Sequence, residues 1–150
     1  MSLKQQIDSD IKKAMLAKQK EELEALRSIK SLILIAETDK GVQDEISSEK
    51  ENKLLVTAAK QRKESADIFI QQNRQDLADK ELFQLDVIRR YLPKQLSENE
   101  LENAIKLIIE QVGAKGIQDL GKVMGVATKS LSGQADGKQI SEQVKRLLSI

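Results

Sequence analysis

The sequence predicts an all-α protein, with about four helices before its single proline and three after it. Three observations carry that prediction. Apolar residues recur at helical spacing along most of the chain. No stretch alternates apolar and polar residues over a useful strand length, and there is no internal repeat. The composition, 39% hydrophobic, 33% charged and 2% aromatic, suits amphipathic helices with solvated outer faces. A chain of 150 residues is one domain, or two small lobes sharing an interface. At that size it buries about 70% of its unfolded surface.

The first helix rests on Leu3, Ile7, Ile11, Ala14 and Met15, with Ser2 and Gln5 spaced as a capping box, and ends near Lys18. The second runs from about Lys20 to Asp39 on Leu23, Leu26, Ile29, Ile33 and Ala36, with Gly41 as a left-handed stop. These two form a hairpin. Ser48 and Glu51 form another capping box, opening a long helix through Leu55, Ala58, Ala59 and Ala66 to Phe69. Its apolar stripe is interrupted by Arg62 and Ser65, which share a face with positions 55, 58 and 69. That is either a buried polar pair, with the Arg62 guanidinium meeting a carboxylate from a neighbouring helix, or a recognition point.

Gln71 to Asp76 lowers helix propensity and reads as a turn, after which Asp76 caps a fourth helix on Ala78, Leu82, Leu85, Ile88 and Leu92. This helix must stop at Tyr91-Leu92-Pro93, because proline disfavours helical geometry in the residue before it. Pro93 therefore marks the boundary. It separates an N-terminal helical lobe, 1–92, from a C-terminal lobe, 97–150, through a link at 93–96. Ser97 and Glu100 cap a helix on Leu101, Ala104, Ile105, Ile108 and Val112, closed by Gly113. Two further patterns follow, Ile117, Leu120, Met124, Ala127, Leu131 and then Ile140, Val144, Leu147, Leu148, with Asp136 as cap for the last.

Composition removes much of the enzyme repertoire. The chain has no cysteine and no histidine, hence no disulfide, no thiolate nucleophile and no imidazole base. Structural zinc is likewise unexpected. The longest unbroken apolar run, Leu32 to Ala36, is far short of the roughly 20 residues of a membrane span, and no secretory core precedes it. A cytoplasmic protein with no membrane partner is expected. Paired acids such as Asp8 with Asp10, Glu21 with Glu22, and Asp44 with Glu45 are spaced as solvated charge, so no catalytic residue, metal ligand or cofactor site is nominated.

One run resembles a phosphate loop. Gly116 to Val123 reads GIQDLGKV, but Val123 stands where a hydroxyl must hold magnesium, and the segment entering the run is helical rather than a strand. The same residues suit a helix in which Gly121 and Gly125, four apart, let another helix come close or expose backbone to a partner. Lys115, Lys122 and Lys129 recur at seven residues, as do Lys138 and Lys145. Two helical turns return a side chain to nearly the same azimuth, so each helix carries a basic row. From Gly113 to Ile150 six cations, the five lysines and Arg146, face three acids, giving 6 − 3 = +3, whereas the whole chain is +1. A basic row binds polyanions or merely stays solvated. With so few aromatics, contacts to phosphates and to the shape of structured RNA are expected rather than base stacking.

Several motifs, in order, carry a resemblance. Ala59-Lys-Gln-Arg-Lys-Glu-Ser65, Asn73-Arg-Gln-Asp-Leu77, Tyr91-Leu-Pro-Lys-Gln-Leu-Ser97 and Leu120-Gly-Lys-Val-Met-Gly125 with Ala135-Asp-Gly137 resemble the YqeY-like proteins. These are similar to the tail domain of GatB, the B subunit of the tRNA-dependent amidotransferase. Asn73 stands where a glycine commonly precedes the turn, and asparagine tolerates the same left-handed geometry.

The resemblance implies two helical lobes, the second a three-helix tail, and a connection to tRNA or other structured RNA. It also implies an amidotransferase or another tRNA-handling protein as partner. Lys122 with Gly121, Gly125 and Gly137 would then belong to the RNA-facing or packing surface of the tail. The group often carries a carbon-nitrogen ligase label with glutamine as amido-N-donor. The residues offer no activated nucleophile for that reaction. The expectation is therefore a noncatalytic, tRNA-associated helical module, the alternative a helical adaptor that binds protein and no RNA.

Overall fold

The computed structural model describes residues 2–39 and 46–149. Seven α-helices account for most of them: α1 Leu3–Leu16, α2 Lys20–Thr38, α3 Ser48–Gln71, α4 Gln75–Arg89, α5 Glu98–Val112, α6 Leu120–Ser130 and α7 Gly137–Leu148. No strand occurs among the described residues. The stop expected at Gly41 and the pair Asp44 and Glu45 lie outside them. The chain divides into two compact units, Met1–Leu92 and Pro93–Ile150.

In the first unit, α1 pairs with α2 and α3 with α4, and α2 packs against both α3 and α4. The capping box at Ser2 forms in full: the Ser2 hydroxyl accepts from the Gln5 amide, and the Gln5 side chain takes the Ser2 N–H. These contacts satisfy amide donors that a helix start leaves without intrahelical acceptors. At α3 the cap is Ser47 rather than Ser48, its hydroxyl accepting from the Lys50 amide at 3.2 Å. Of two adjacent serines, the earlier one takes the extended backbone that a cap needs.

Asp76 does not cap α4. Arg74 precedes the helix without a side-chain cap, and Asp76, already in the first turn, holds the Arg74 guanidinium through two hydrogen bonds of 3.2 and 3.1 Å. That pairing lowers the Asp76 pKa, the Arg74 hydrogen bond being its main cause. Asn73 sits at φ 58°, the left-handed geometry that asparagine tolerates. Lys18, between α1 and α2, also takes a left-handed φ, 56°.

The core of this unit joins Leu3, Ile7, Leu26, Ile29, Ile33, Leu55, Ala58, Val87 and Ile88 from all four helices. The interruption on α3 is explained by α4: Arg62 Nη1 donates to Glu81 Oε2 at 3.0 Å, with the side chains 31% and 19% exposed. Ser65 is half-buried beside it and is not part of the pair. At the far end of α4 the Tyr91 hydroxyl donates to Asp10 on α1. Burial first, and then the Asp10 carboxylate, raise the phenol pKa well above its ordinary value.

The second unit has its own core of Leu101, Ile105, Ile108, Val123, Ala127, Leu131, Ala135, Ile140, Val144 and Leu148. Ser97 and Glu100 form the second full capping box, and Gly113 ends α5 at φ 73°. Asp136 caps α7 through the Lys138 amide at 3.1 Å. Residues 93–96 are not slack. The Gln95 amide group donates to the carbonyls of Pro93 and Gly133, and the Leu96 N–H donates to Gln134 O at 2.9 Å, so the segment is fastened to the α6–α7 connection.

Candidate nucleic-acid interface

GIQDLGKV enters α6 through a single 3-10 turn, Ile117–Asp119, and continues into the helix. Val123 is fully buried and Ala127 lies below it, one turn on. These two residues fix the inward face of α6. Leu120 and Met124 flank it and are partly buried, whereas Ile117, expected in the stripe, is 51% exposed. Gly121, Lys122, Gly125, Val126, Thr128 and Lys129 consequently share the solvent side.

The two glycines do not serve packing within the chain. A Cβ built on Gly121 or Gly125 would meet no heavy atom within 4 Å, and the same holds for Gly137 at the start of α7. What they create is a strip of α6 where helix backbone is covered by no side chain. Glycine in a helix interior costs about 1 kcal/mol against alanine, so the fold alone does not account for Gly125.

Lys115, Lys122, Lys129, Lys138 and Lys145 are all exposed, and none is held in an ion pair among the described residues. Arg146 differs. Its guanidinium meets Glu102 Oε1 on α5 at 3.2 Å and donates to Gln143 Oε1 at 2.6 Å, so it braces α7 against α5. Glu102 also takes Lys106 at 3.3 Å, and these two cations, Arg146 foremost, lower its pKa. Sequence spacing grouped Arg146 with the lysines because Glu102 lies more than forty residues away along the chain.

On α7, Gln139, Glu142, Gln143 and Arg146 line a groove of about 270 Å³ with Leu96, Glu98 and Leu101, and Lys138 and Lys145 lie off it. The charge at the helix starts is equally uneven. The first turn of α5 carries Glu98 and Glu100, whereas those of α6 and α7 carry no acid, and the carboxylates nearest their positive ends are Asp119 and Asp136 at the cap positions. Lys115 donates only its backbone N–H, to Asp119 at 2.9 Å, which leaves its ammonium in solvent. Among the described residues no group of three or more acidic side chains is arranged to hold a metal ion, and no helix is long and apolar enough to cross a membrane.

An all-helical protein of two units, with unpaired lysines and an uncovered helix strip in the second, is the class that these features define. The chain belongs to the YqeY-like proteins, whose family model matches residues 4–148. It is 36% identical over 107 residues to altered inheritance of mitochondria protein 41, mitochondrial, of Clavispora lusitaniae, a match covering 70% of this chain and 61% of that one. The protein of the same name from Pyrenophora tritici-repentis is 29% identical over 147 residues, covering 95% of this chain and 78% of the relative. A glutamyl-tRNA(Gln) amidotransferase polypeptide of the E type, from Thermococcus gammatolerans, is 42% identical over 55 residues, 34% of this chain and 9% of that one. The likeness to amidotransferase tails is thus present in the sequence.

The expectation of a cytoplasmic protein is overturned by these relatives, the matched fungal proteins being named as mitochondrial. That expectation rests on the shortness of the apolar runs, which says nothing of an organelle. Organelle import uses a different, amphipathic signal.

Proposed function

We propose that this protein is a noncatalytic helical module that associates with tRNA through its second unit. The observation carrying this reading is that five lysines, Lys115, Lys122, Lys129, Lys138 and Lys145, are exposed and unpaired among the described residues, while Arg146 beside them is neutralised by Glu102. Ammonium groups without local partners are available to phosphates, and with a near-zero net charge for the whole chain the attraction must be local, the stretch from Gly113 to Ile150 carrying a net +3. The sequence shared with an amidotransferase named for glutamyl-tRNA supports tRNA as the RNA class. A tRNA-handling enzyme is the corresponding protein partner.

The test is titration of uncharged tRNA with the protein and with a variant in which Lys122, Lys129, Lys138 and Lys145 are alanine. Four phosphate contacts give a slope of about −3 to −4 for log affinity against log salt. The variant is expected to lose that slope. Equal, salt-insensitive or undetectable binding by both proteins overturns the reading.

One observation favours the adaptor reading: Val126, 38% exposed, lies on α6 with the open glycines, and Ile117, 51% exposed, lies in the turn that enters it. A pull-down from ribonuclease-treated extract separates the two readings. A protein adaptor keeps its partners after the treatment, and an RNA-bridged complex loses them.

A further inference from the structure

We infer that the lysine rows grip a paired, A-form arm of RNA through its phosphates and read no bases. This rests on the RNA reading above and specifies which part of the RNA is held. Base recognition in unpaired RNA needs stacking surfaces, usually aromatic rings or arginine planes. The second unit, residues 93–150, contains no phenylalanine, tyrosine or tryptophan. Its single arginine, Arg146, is held by Glu102 and Gln143. Splayed bases therefore find nothing to stack on.

The lysines themselves are spaced for a stiff polyanion. Lys122 and Lys129 on α6, and Lys138 and Lys145 on α7, are each seven residues apart. Along a helix that is about 10.5 Å of rise with about 20° of azimuthal drift. Two lysines anchored at that separation on a rigid helix can reach phosphates that are fixed relative to each other without the protein backbone being reordered. A single strand must first be ordered to meet them, and that ordering costs conformational entropy. A duplex also releases more counterion per neutralised phosphate than a single strand does, with a slope of about 0.9 against 0.7 per contact.

Shape favours RNA over DNA. The solvent side of α6 is blunt, with Gly121, Gly125 and Thr128 beside the lysines. The wide, shallow minor groove of A-form RNA admits a blunt helix face. A B-DNA minor groove of about 6 Å does not accept a helix about 10 Å across. Its major groove rewards glutamine, asparagine and arginine, which are absent from the solvent side of α6. Lys122, Thr128 and Lys129 there can also reach base edges, so the DNA duplex is a necessary arm of the test. A grip of this kind does not discriminate one tRNA from another, so the choice of RNA falls to a partner.

The experiment is competition against labelled tRNA by three unlabelled probes: a blunt RNA duplex of about 16 base pairs, one of its strands alone, and the DNA duplex of the same sequence. The RNA duplex is expected to displace tRNA at least tenfold more effectively than either other probe, and to do so equally well after its sequence is scrambled. Lys122→Ala with Lys129→Ala should weaken tRNA and RNA duplex by the same factor. If the single strand or the DNA duplex competes as well as the RNA duplex, or if scrambling matters, the inference falls while tRNA binding stands. If labelled tRNA does not bind at all, the functional reading falls with it.

Discussion

Alanine at both Gly121 and Gly125 should stabilise the second unit. Neither glycine has a positive φ, which among the described glycines only Gly113 and Gly133 show, so an L side chain meets no backbone strain. No heavy atom lies within 4 Å of either added Cβ, so there is no steric cost. Gly125 lies inside α6 and should return nearly the whole propensity difference, about 1 kcal/mol. Gly121 is the second residue of α6, where fewer intrahelical bonds depend on it, and should return about half of that. The sum is about 1.5 kcal/mol. With a urea dependence near 1 kcal/mol per molar for so small a unit, the midpoint moves up by about 1.5 M. Far-UV circular dichroism follows both units, and the fluorescence of Tyr91, the chain's only tyrosine, follows the first unit alone. A gain visible by dichroism without a matching change at Tyr91 is the expected result. A lower midpoint would show that the strip is packed against something within the chain and refute the reasoning. The double variant should also bind tRNA more weakly than the parent despite its greater stability.

Gly113→Ala should act in the opposite direction, costing about 1–2 kcal/mol, because φ 73° at the end of α5 is a left-handed position that side chains resist; urea titration of the pair of glycine classes separates them. Arg62→Ala should cost about 1 kcal/mol, and the double variant Arg62→Ala with Glu81→Ala should cost less than the sum of the singles, as a double-mutant cycle of urea midpoints will show. Tyr91→Phe should flatten the alkaline loss of stability. The folded-state pKa of Tyr91 is raised above the unfolded value, so its contribution is complete below about pH 10 and is lost as pH climbs beyond that; midpoints measured from about pH 8 to 11 report it.

What could be read from the chain was what its neighbours along the chain decide. The capping boxes at Ser2 and Ser97, the left-handed Gly113 and the break at Pro93 are set by residues within four positions of one another, and each appears in the structure. The choice between Ser47 and Ser48 was beyond that reach, because either serine satisfies the same local pattern. Glu81 as the partner of Arg62, and Glu102 as the partner of Arg146, depend on how helices meet and leave no trace in spacing.

The glycines of α6 show a different limit. In the sequence Gly121 and Gly125 stand beside the stripe of Leu120 and Met124, a placement that fits close packing and backbone exposure to a partner equally well. In the fold, Val123 and Ala127 occupy the centre of that face and the glycines point away from it. The lysine rows were legible as a pattern. Which of their neighbours were already neutralised was not.

The fastening of Gln95 and Leu96 onto the α6–α7 connection changes where the second unit begins as a transferable piece. A fragment started at Ser97 keeps every helix but discards the peptide that holds Gly133 and Gln134 in place. One started at Pro93 carries its own clasp. If this unit is grafted onto another protein, the four residues before its first helix must travel with it, and the joint that is free to be re-cut lies on the other side of the proline.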